Sequence, residues 1–354
     1  MKKQTVKNLI NGVLAILCVA LFLFLFIMLA FSYDGGLLTV IALVFLGVII
    51  TIFANSVFHE LGHLIFGLFC GLKFYSIQFL WLFIGKENGK IKVKFSSSNG
   101  ELGTTVLTPS SSEKTFQKYV ISALGGLIFS LLIIISQVLI CLYCKNVIVY
   151  ASLGITFPIS VYVFLINLFP TFENNDGYLI YSFLSGEKLK LVASNYYDLV
   201  GLLYEGVEPS ELDSSKLIDY GGEDVYSTNL RYLRYLAYVN GDEESAIKEL
   251  RKISDLSKLS NLVEEVYEEL FFCALLIKDD KFITAHEEEV LEIILRELRP
   301  QSFRVHASYR IYKGDISWAK LIMQSGIEFS KSYAVKGVAK AEIKYLESML
   351  NNLN

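Results

Sequence analysis

The residues best equipped for chemistry are His59-Glu60-Leu61-Gly62-His63. Side chains four apart share one face of a helix, so both imidazoles can bind one metal ion while Glu60 beside them takes a proton from an attacking water. A five-residue pattern also arises by chance, but this one ends a long uncharged apolar run. In such a run an ionisable group costs roughly 2.5 to 3.5 kcal/mol near the bilayer centre on insertion scales, and three cluster here. The only other histidines are His286 and His306. Two histidines leave a zinc ion short of a protein ligand, which is normally a carboxylate or a third His.

The segment Leu165-Ile166-Asn167-Leu168-Phe169-Pro170-Thr171-Phe172-Glu173-Asn174-Asn175-Asp176-Gly177-Tyr178 offers two carboxylates. Asp176 is the preferred third ligand and Glu173 its rival. The competing use of Asp176 is as a helix N-cap in an Asn-Asp-Gly turn. Pro170 ends the preceding helix and frees backbone groups, which membrane depth tolerates only where protein or a wet cavity receives them.

These residues need elements to carry them, and composition says those elements lie partly in lipid. Hydrophobic residues make up 53% of the 354 and charged residues only 19%, which is too apolar for an ordinary soluble protein. Charge divides unevenly: residues 1–185 carry 11 Lys and no Arg against 7 acids, and the remainder 21 basic residues against 29 acids. Four uncharged stretches reach the ~20 residues that cross a bilayer: Leu9 to Tyr33, Leu37 to Phe58 with an apolar continuation to Leu72, Val120 to Cys144, and Val147 to Phe172. The first also resembles a signal peptide, with Ala30-Phe31-Ser32 as a cleavage site, but its apolar run exceeds a signal core and is read as a retained helix.

Lysines set the orientation. Lys2, Lys3 and Lys7 precede the first span, and seven more lie between spans two and three, which puts both termini in the cytoplasm. His59 stands 22 residues past Leu37, about 33 Å along a helix entering from outside. The motif therefore sits near the cytoplasmic edge, the level at which span four delivers Asp176. Between these spans Tyr75, Ile77, Phe79, Trp81 and Phe83 alternate, and Glu87-Asn88-Gly89 supplies a turn before Ile91 to Phe95. This predicts a membrane-associated β-hairpin over Lys73 to Ser98 whose first strand dips into the membrane surface, and the hairpin is expected to offer an edge strand to substrate.

HExxH in one membrane helix followed far downstream by NxxP and then Asp-Gly resembles the site-2 protease family of intramembrane zinc metalloproteases. Leu124-Gly125-Gly126-Leu127-Ile128-Phe129-Ser130 resembles that family's GGPxxN stretch, with Leu127 and Ser130 in place of Pro and Asn. The resemblance covers roughly residues 37 to 184. It implies Zn2+ held by His59, His63 and Asp176, with Glu60 catalytic, and hydrolysis of a peptide bond in or beside a substrate's transmembrane helix.

Beyond Gly186 the chain is charged and helix-periodic. Turn-like segments recur at Asn240-Gly241-Asp242, Lys278-Asp279-Asp280 and Lys313-Gly314-Asp315, followed by Ala246, Ala285 and Ala319. The spacings of 38 and 35 residues approach the ~34-residue tetratricopeptide repeat. His286-Glu287-Glu288-Glu289 imitates the start of HExxH but lacks a second His and reads as a solvated helix face. The five cysteines, including Cys141 and Cys144 in a CxxC, lie in apolar runs and read as small core- or lipid-facing side chains.

The expected architecture is an all-α polytopic membrane protein: an N-terminal transmembrane helix over 1–36, a metalloprotease core over 37–185 and a cytosolic TPR-like domain over 186–354. The expected function is a zinc-dependent intramembrane endopeptidase acting in regulated proteolysis or peptide-precursor processing. Two alternatives stand beside it: a catalytically inactive scaffold recruiting partners through its helical domain, and another HExxH membrane protease using a downstream Glu. Expected partners are a transmembrane or membrane-bound peptide substrate, a protein bound by the C-terminal domain and the lipid bilayer, with no nucleic acid. The absence of an organellar presequence suggests a bacterial plasma membrane.

Overall fold

The computed structural model describes the chain except residues 1, 34, 88–89, 96–102, 171–174, 240, 254–262, 297 and 354, and describes residues 2–8 and 87 by backbone only. It divides into two compact units, one of residues 1–108 and 117–185, the other of residues 109–116 and 186–354.

In the first unit, four helices are long and apolar enough to cross a membrane. They are α1 (Lys2–Ser32), α2 (Leu37–Phe69), α3 (Thr115–Tyr143) and a composite of α4 (Val147–Val149), a π-helical stretch at Tyr150–Gly154 and α5 (Phe157–Leu168). A short helix, α6 (Asp176–Leu184), follows. Leu29, Val40, Val44, Ala151 and Ile155 form an apolar core joining α1, α2 and the composite helix. Gly47 permits the closest approach there, because a Cβ on it would lie 2.0 Å from the Ser152 carbonyl oxygen.

A polar seam crosses this apolar interior. Thr51 and Asn55 of α2, Gln137 of α3, and Thr156 and Ser160 are all buried. The Gln137 amide donates to Thr51 Oγ1 at 3.1 Å and to Thr156 Oγ1 at 3.3 Å, and Asn55 Nδ2 donates to Ser160 Oγ at 2.7 Å. Without water to satisfy such groups in lipid, hydrogen bonds between helices fix which faces meet.

Between α2 and α3 lies a four-stranded antiparallel sheet of order β3-β2-β1-β4, built from β1 (Lys73–Phe79), β2 (Leu82–Glu87), β3 (Lys90–Phe95) and β4 (Gly103–Thr108). This corrects the expected all-α core with a single hairpin. The alternating run breaks because Leu80 takes a left-handed φ of 50° and, with Trp81, makes a two-residue turn pairing Phe79 with Leu82. Phe83 thereby faces away from Phe79. Residues 96–98 and the turn at 88–89 lie outside the described residues.

The second unit is helical: α7 (Glu187–Glu205), α8 (Val225–Tyr238), α9 (Glu243–Leu250), α10 (Val263–Ile277), α11 (Asp280–Arg296), α12 (Pro300–Tyr312), α13 (Ile316–Ser330) and α14 (Lys336–Asn352). Consecutive helices pack in pairs, α8 with α9, α10 with α11 and α12 with α13. The last helix returns to α7, where Lys340 Nζ donates to the Gly206 carbonyl at 2.8 Å. Ala246 and Ala319 are buried. Ala285 is exposed, because α11 turns Ile283, Val290, Ile293 and Ile294 inward instead.

Arg304 is fully buried at the centre of this unit, bonded to Glu269 at 2.7 Å and Glu342 at 2.9 Å and lying over the Phe272 ring. Nearby, Glu268 accepts from Ser302 and Arg299. On the expected solvated face Glu288 and Glu289 are exposed, while His286 is half-buried, its Nδ1 meeting the Tyr267 hydroxyl and its ring packing on Phe282.

Candidate metal centre

Helix α2 carries His59, Glu60 and His63 on consecutive turns, with His59 and Glu60 buried. Gly62 turns toward α3, where a Cβ would lie 2.3 Å from the Gly125 carbonyl oxygen. The reciprocal Cβ on Gly125 would lie 2.4 Å from the Gly62 carbonyl oxygen, and one on Gly126 would lie 2.5 Å from His63 Nε2. The helices thus cross in backbone contact, and the missing side chain at 126 makes room for both imidazoles.

The third component arrives from α6. Asn175, not Asp176, caps this helix: its Oδ1 accepts from the Tyr178 amide at 2.9 Å, while its Nδ2 donates to the carbonyls of Ile166 and Phe169, each at 2.6 Å. One side chain therefore satisfies carbonyls left by the end of α5 and starts α6. Gly177 lies directly against the Leu168 carbonyl, at 1.9 Å from its own ideal Cβ position. Asp176, relieved of capping, points back to α2.

Its Oδ2 lies 3.2 Å from His59 Nε2 and 3.3 Å from His63 Nε2, and the two Nε2 atoms are 3.1 Å apart. Tetrahedral zinc with bonds near 2.0–2.1 Å separates its ligand atoms by about 3.3 Å. The triangle fits that ion.

Hydrogen bonding on the far side of the rings agrees. His63 Nδ1 lies 3.0 Å from the Ser122 carbonyl, which can only accept, so Nδ1 carries a proton and Nε2 is the ring nitrogen left to face a metal ion. His59 Nδ1 meets Ser130 Oγ at 2.9 Å, and Ser130 is fully buried. Asp176 Oδ2 is buried and accepts no hydrogen bond. An orphaned carboxylate oxygen facing two imidazole nitrogens suits a cation at their common point.

Glu60 is held by the sheet. Gly103, the first residue of β4, would bring a Cβ to 2.9 Å from Glu60 Oε1, and Thr105 Oγ1 donates to the Glu60 carbonyl at 3.1 Å. Tyr119 of α3 fastens the same strand through the Leu107 carbonyl at 2.7 Å.

The structure brings together His59, Glu60, His63 and Asp176. The rival Glu173 lies outside the described residues. Among those described, His59, Glu60 and His63 are the one group of three metal-ligating residue types whose ligand atoms converge within 4.8 Å, and Asp176 joins it through the distances above. The cysteines are free and form no such group. Sequence reasoning missed Ser122, Gly62, Gly103 and Asn175. A signal existed for the first, since Ser122, Gly126 and Ser130 recur every fourth residue and mark one small-residue face of α3.

No protein-family description, curated protein or solved structure matches this chain.

Proposed function

We propose that the chain is a zinc-dependent intramembrane endopeptidase of the site-2 protease type, cleaving a transmembrane or membrane-bound peptide. The observation that carries this reading is the convergence of His59 Nε2, His63 Nε2 and Asp176 Oδ2 within 3.1–3.3 Å. It occurs beside a buried Glu60, on a helix long and apolar enough to cross a membrane. In this reading His59, His63 and Asp176 would hold the ion. Bound zinc supplies Lewis-acid polarisation of a carbonyl and lowers the pKa of a water.

Glu60 is the general base that takes the water's proton and afterwards returns it to the leaving amine. The Ser122 carbonyl and Ser130 hydroxyl fix ring orientation, so the ligands need little rearrangement at the moment of reaction. A helical substrate hides its carbonyls and must unwind. An unwound segment would pair with β4, an edge strand whose Gly103 abuts Glu60. In the hairpin expected to receive it, β1 is paired on both sides and β3 is the outer edge.

The test is zinc per chain in detergent-purified wild type beside His63→Ala, Asp176→Ala, Glu173→Ala and Glu60→Gln, with cleavage of a transmembrane peptide measured alongside. About one zinc per wild-type chain is expected, lost in His63→Ala and Asp176→Ala and retained in Glu173→Ala. Glu60→Gln should keep its metal and lose activity. A folded wild type that binds no zinc ends the reading, and activity surviving in Glu60→Gln ends the role given to Glu60.

A further inference from the structure

One face of the sheet passes from covered to uncovered. At β4 and β1 it lies on α2: Gly103 abuts Glu60 and Ser56, and Ile77 and Phe79 are 4% and 9% exposed. The register carries the same face outward, Ile77 to Ile84 to Val93 and Phe79 to Leu82 to Phe95. At β3 the covering has ended, and Ile91, Val93 and Phe95 are 64%, 64% and 79% exposed. The other face of β3 presents Lys90, Lys92 and Lys94, also exposed, with Lys94 Nζ 4.9 Å from the Phe83 ring centroid.

The sheet is tethered at both ends to helices of membrane-crossing length. β1 begins just after α2 ends at Phe69, and β4 ends at Thr108, shortly before α3 begins at Thr115. The uncovered apolar face therefore continues the sheet face that packs on α2, a helix long and apolar enough to cross a membrane. A strand with apolar residues on one side and lysines on the other matches the boundary between acyl chains and phosphates. Lysines along an edge strand also discourage pairing with another strand, which argues against a peptide on this edge.

We infer that β3 is a lipid-contacting strand: Ile91, Val93 and Phe95 enter the acyl boundary, and Lys90, Lys92 and Lys94 bind anionic phospholipid headgroups. This uses neither the metal site nor its activity. It gives the sheet two edges of different purpose, β3 on the membrane surface and β4 against Glu60.

The chain has two tryptophans, Trp81 and Trp318, and Trp81 is 58% exposed in the turn beside the Leu82–Phe95 pair. In the full-length Trp318→Phe protein, reconstituted in vesicles of phosphatidylcholine and phosphatidylglycerol, Trp81 becomes the single reporter. Brominated acyl chains are expected to quench it, with brominated phosphatidylglycerol favoured over phosphatidylcholine by about fivefold. That preference should fall toward unity in Lys90→Gln/Lys92→Gln/Lys94→Gln and at high salt. Val93→Trp with Trp81→Phe and Trp318→Phe reports the strand itself and should behave alike. Quenching by aqueous acrylamide with none from brominated lipid overturns the inference, as does equal quenching by the two brominated lipids in the wild-type strand.

Discussion

Ser130 and Ser122 hold the two imidazoles by different means, and substitution separates them. Ser130→Ala removes the side-chain partner of His59 Nδ1 and should weaken zinc binding about 10- to 100-fold. Ser122→Ala removes only the hydroxyl that donates to the His63 carbonyl at 2.9 Å, because the partner of His63 Nδ1 is a backbone carbonyl that survives. It should stay within a few-fold of wild type, with competition against a chelator of known affinity as the measure. At this scale the sequence was legible where spacing encodes geometry: His59, Glu60 and His63 sit on one helix, so their mutual placement follows from the turn. Asp176 was ambiguous because Asn-Asp-Gly permits either residue to cap. The choice depends on Asn175 reaching carbonyls six and nine residues back, which no local pattern records.

Among the elements, the crossing of α2 with α3 has little slack. Gly62→Ala or Gly126→Ala forces backbone or imidazole atoms apart from contacts under 2.6 Å. Either should cost ~1–3 kcal/mol and lower zinc stoichiometry, read by thermal unfolding in detergent and metal analysis. Gly12→Ala, whose Cβ would meet nothing within 4 Å, is the control and should leave both unchanged. Helices were readable because apolar runs of this length have few other uses. The sheet was read less well: Leu80 is an unusual residue for a left-handed turn, and the period-two pattern runs through it unbroken. β4 was missed because Gly103-Thr104-Thr105-Val106-Leu107-Thr108 is a threonine-rich stretch whose strand character comes from pairing with β1. Ala285 shows the same limit, since turn spacing located the helix pair but not which face of α11 would be buried.

Across the whole molecule, the two units answer to different chemistry. In the second, burial pushes the Glu268 carboxyl up to about 7, although Ser302 and Arg299 oppose it. A folded value above the unfolded one means the native state binds the proton more tightly. That stabilisation is therefore complete below about pH 4.5 and is lost as pH rises to about 7. It should amount to something on the order of 3 kcal/mol, read as the part of the pH dependence of unfolding that Glu268→Gln abolishes. Arg304→Met should cost the same unit ~3–5 kcal/mol, because Glu269 and Glu342 then stay buried without their counter-charge. Lys331→Ala, which breaks an exposed pair with Glu328, should leave the unfolding midpoint unmoved.

The route of the chain between His63 and Asp176 also sets a timetable. A ribosome-bound chain ending at Leu168 already contains both imidazoles, but has neither the carboxylate nor the Asn175 amide that aims it. In the proposed reading such a chain would offer a metal ion two imidazoles alone. On the same reading the ligand set is thus completed only near the midpoint of the 354-residue chain, after the sheet, α3 and α5 have been made, and a shorter chain carries no completed centre.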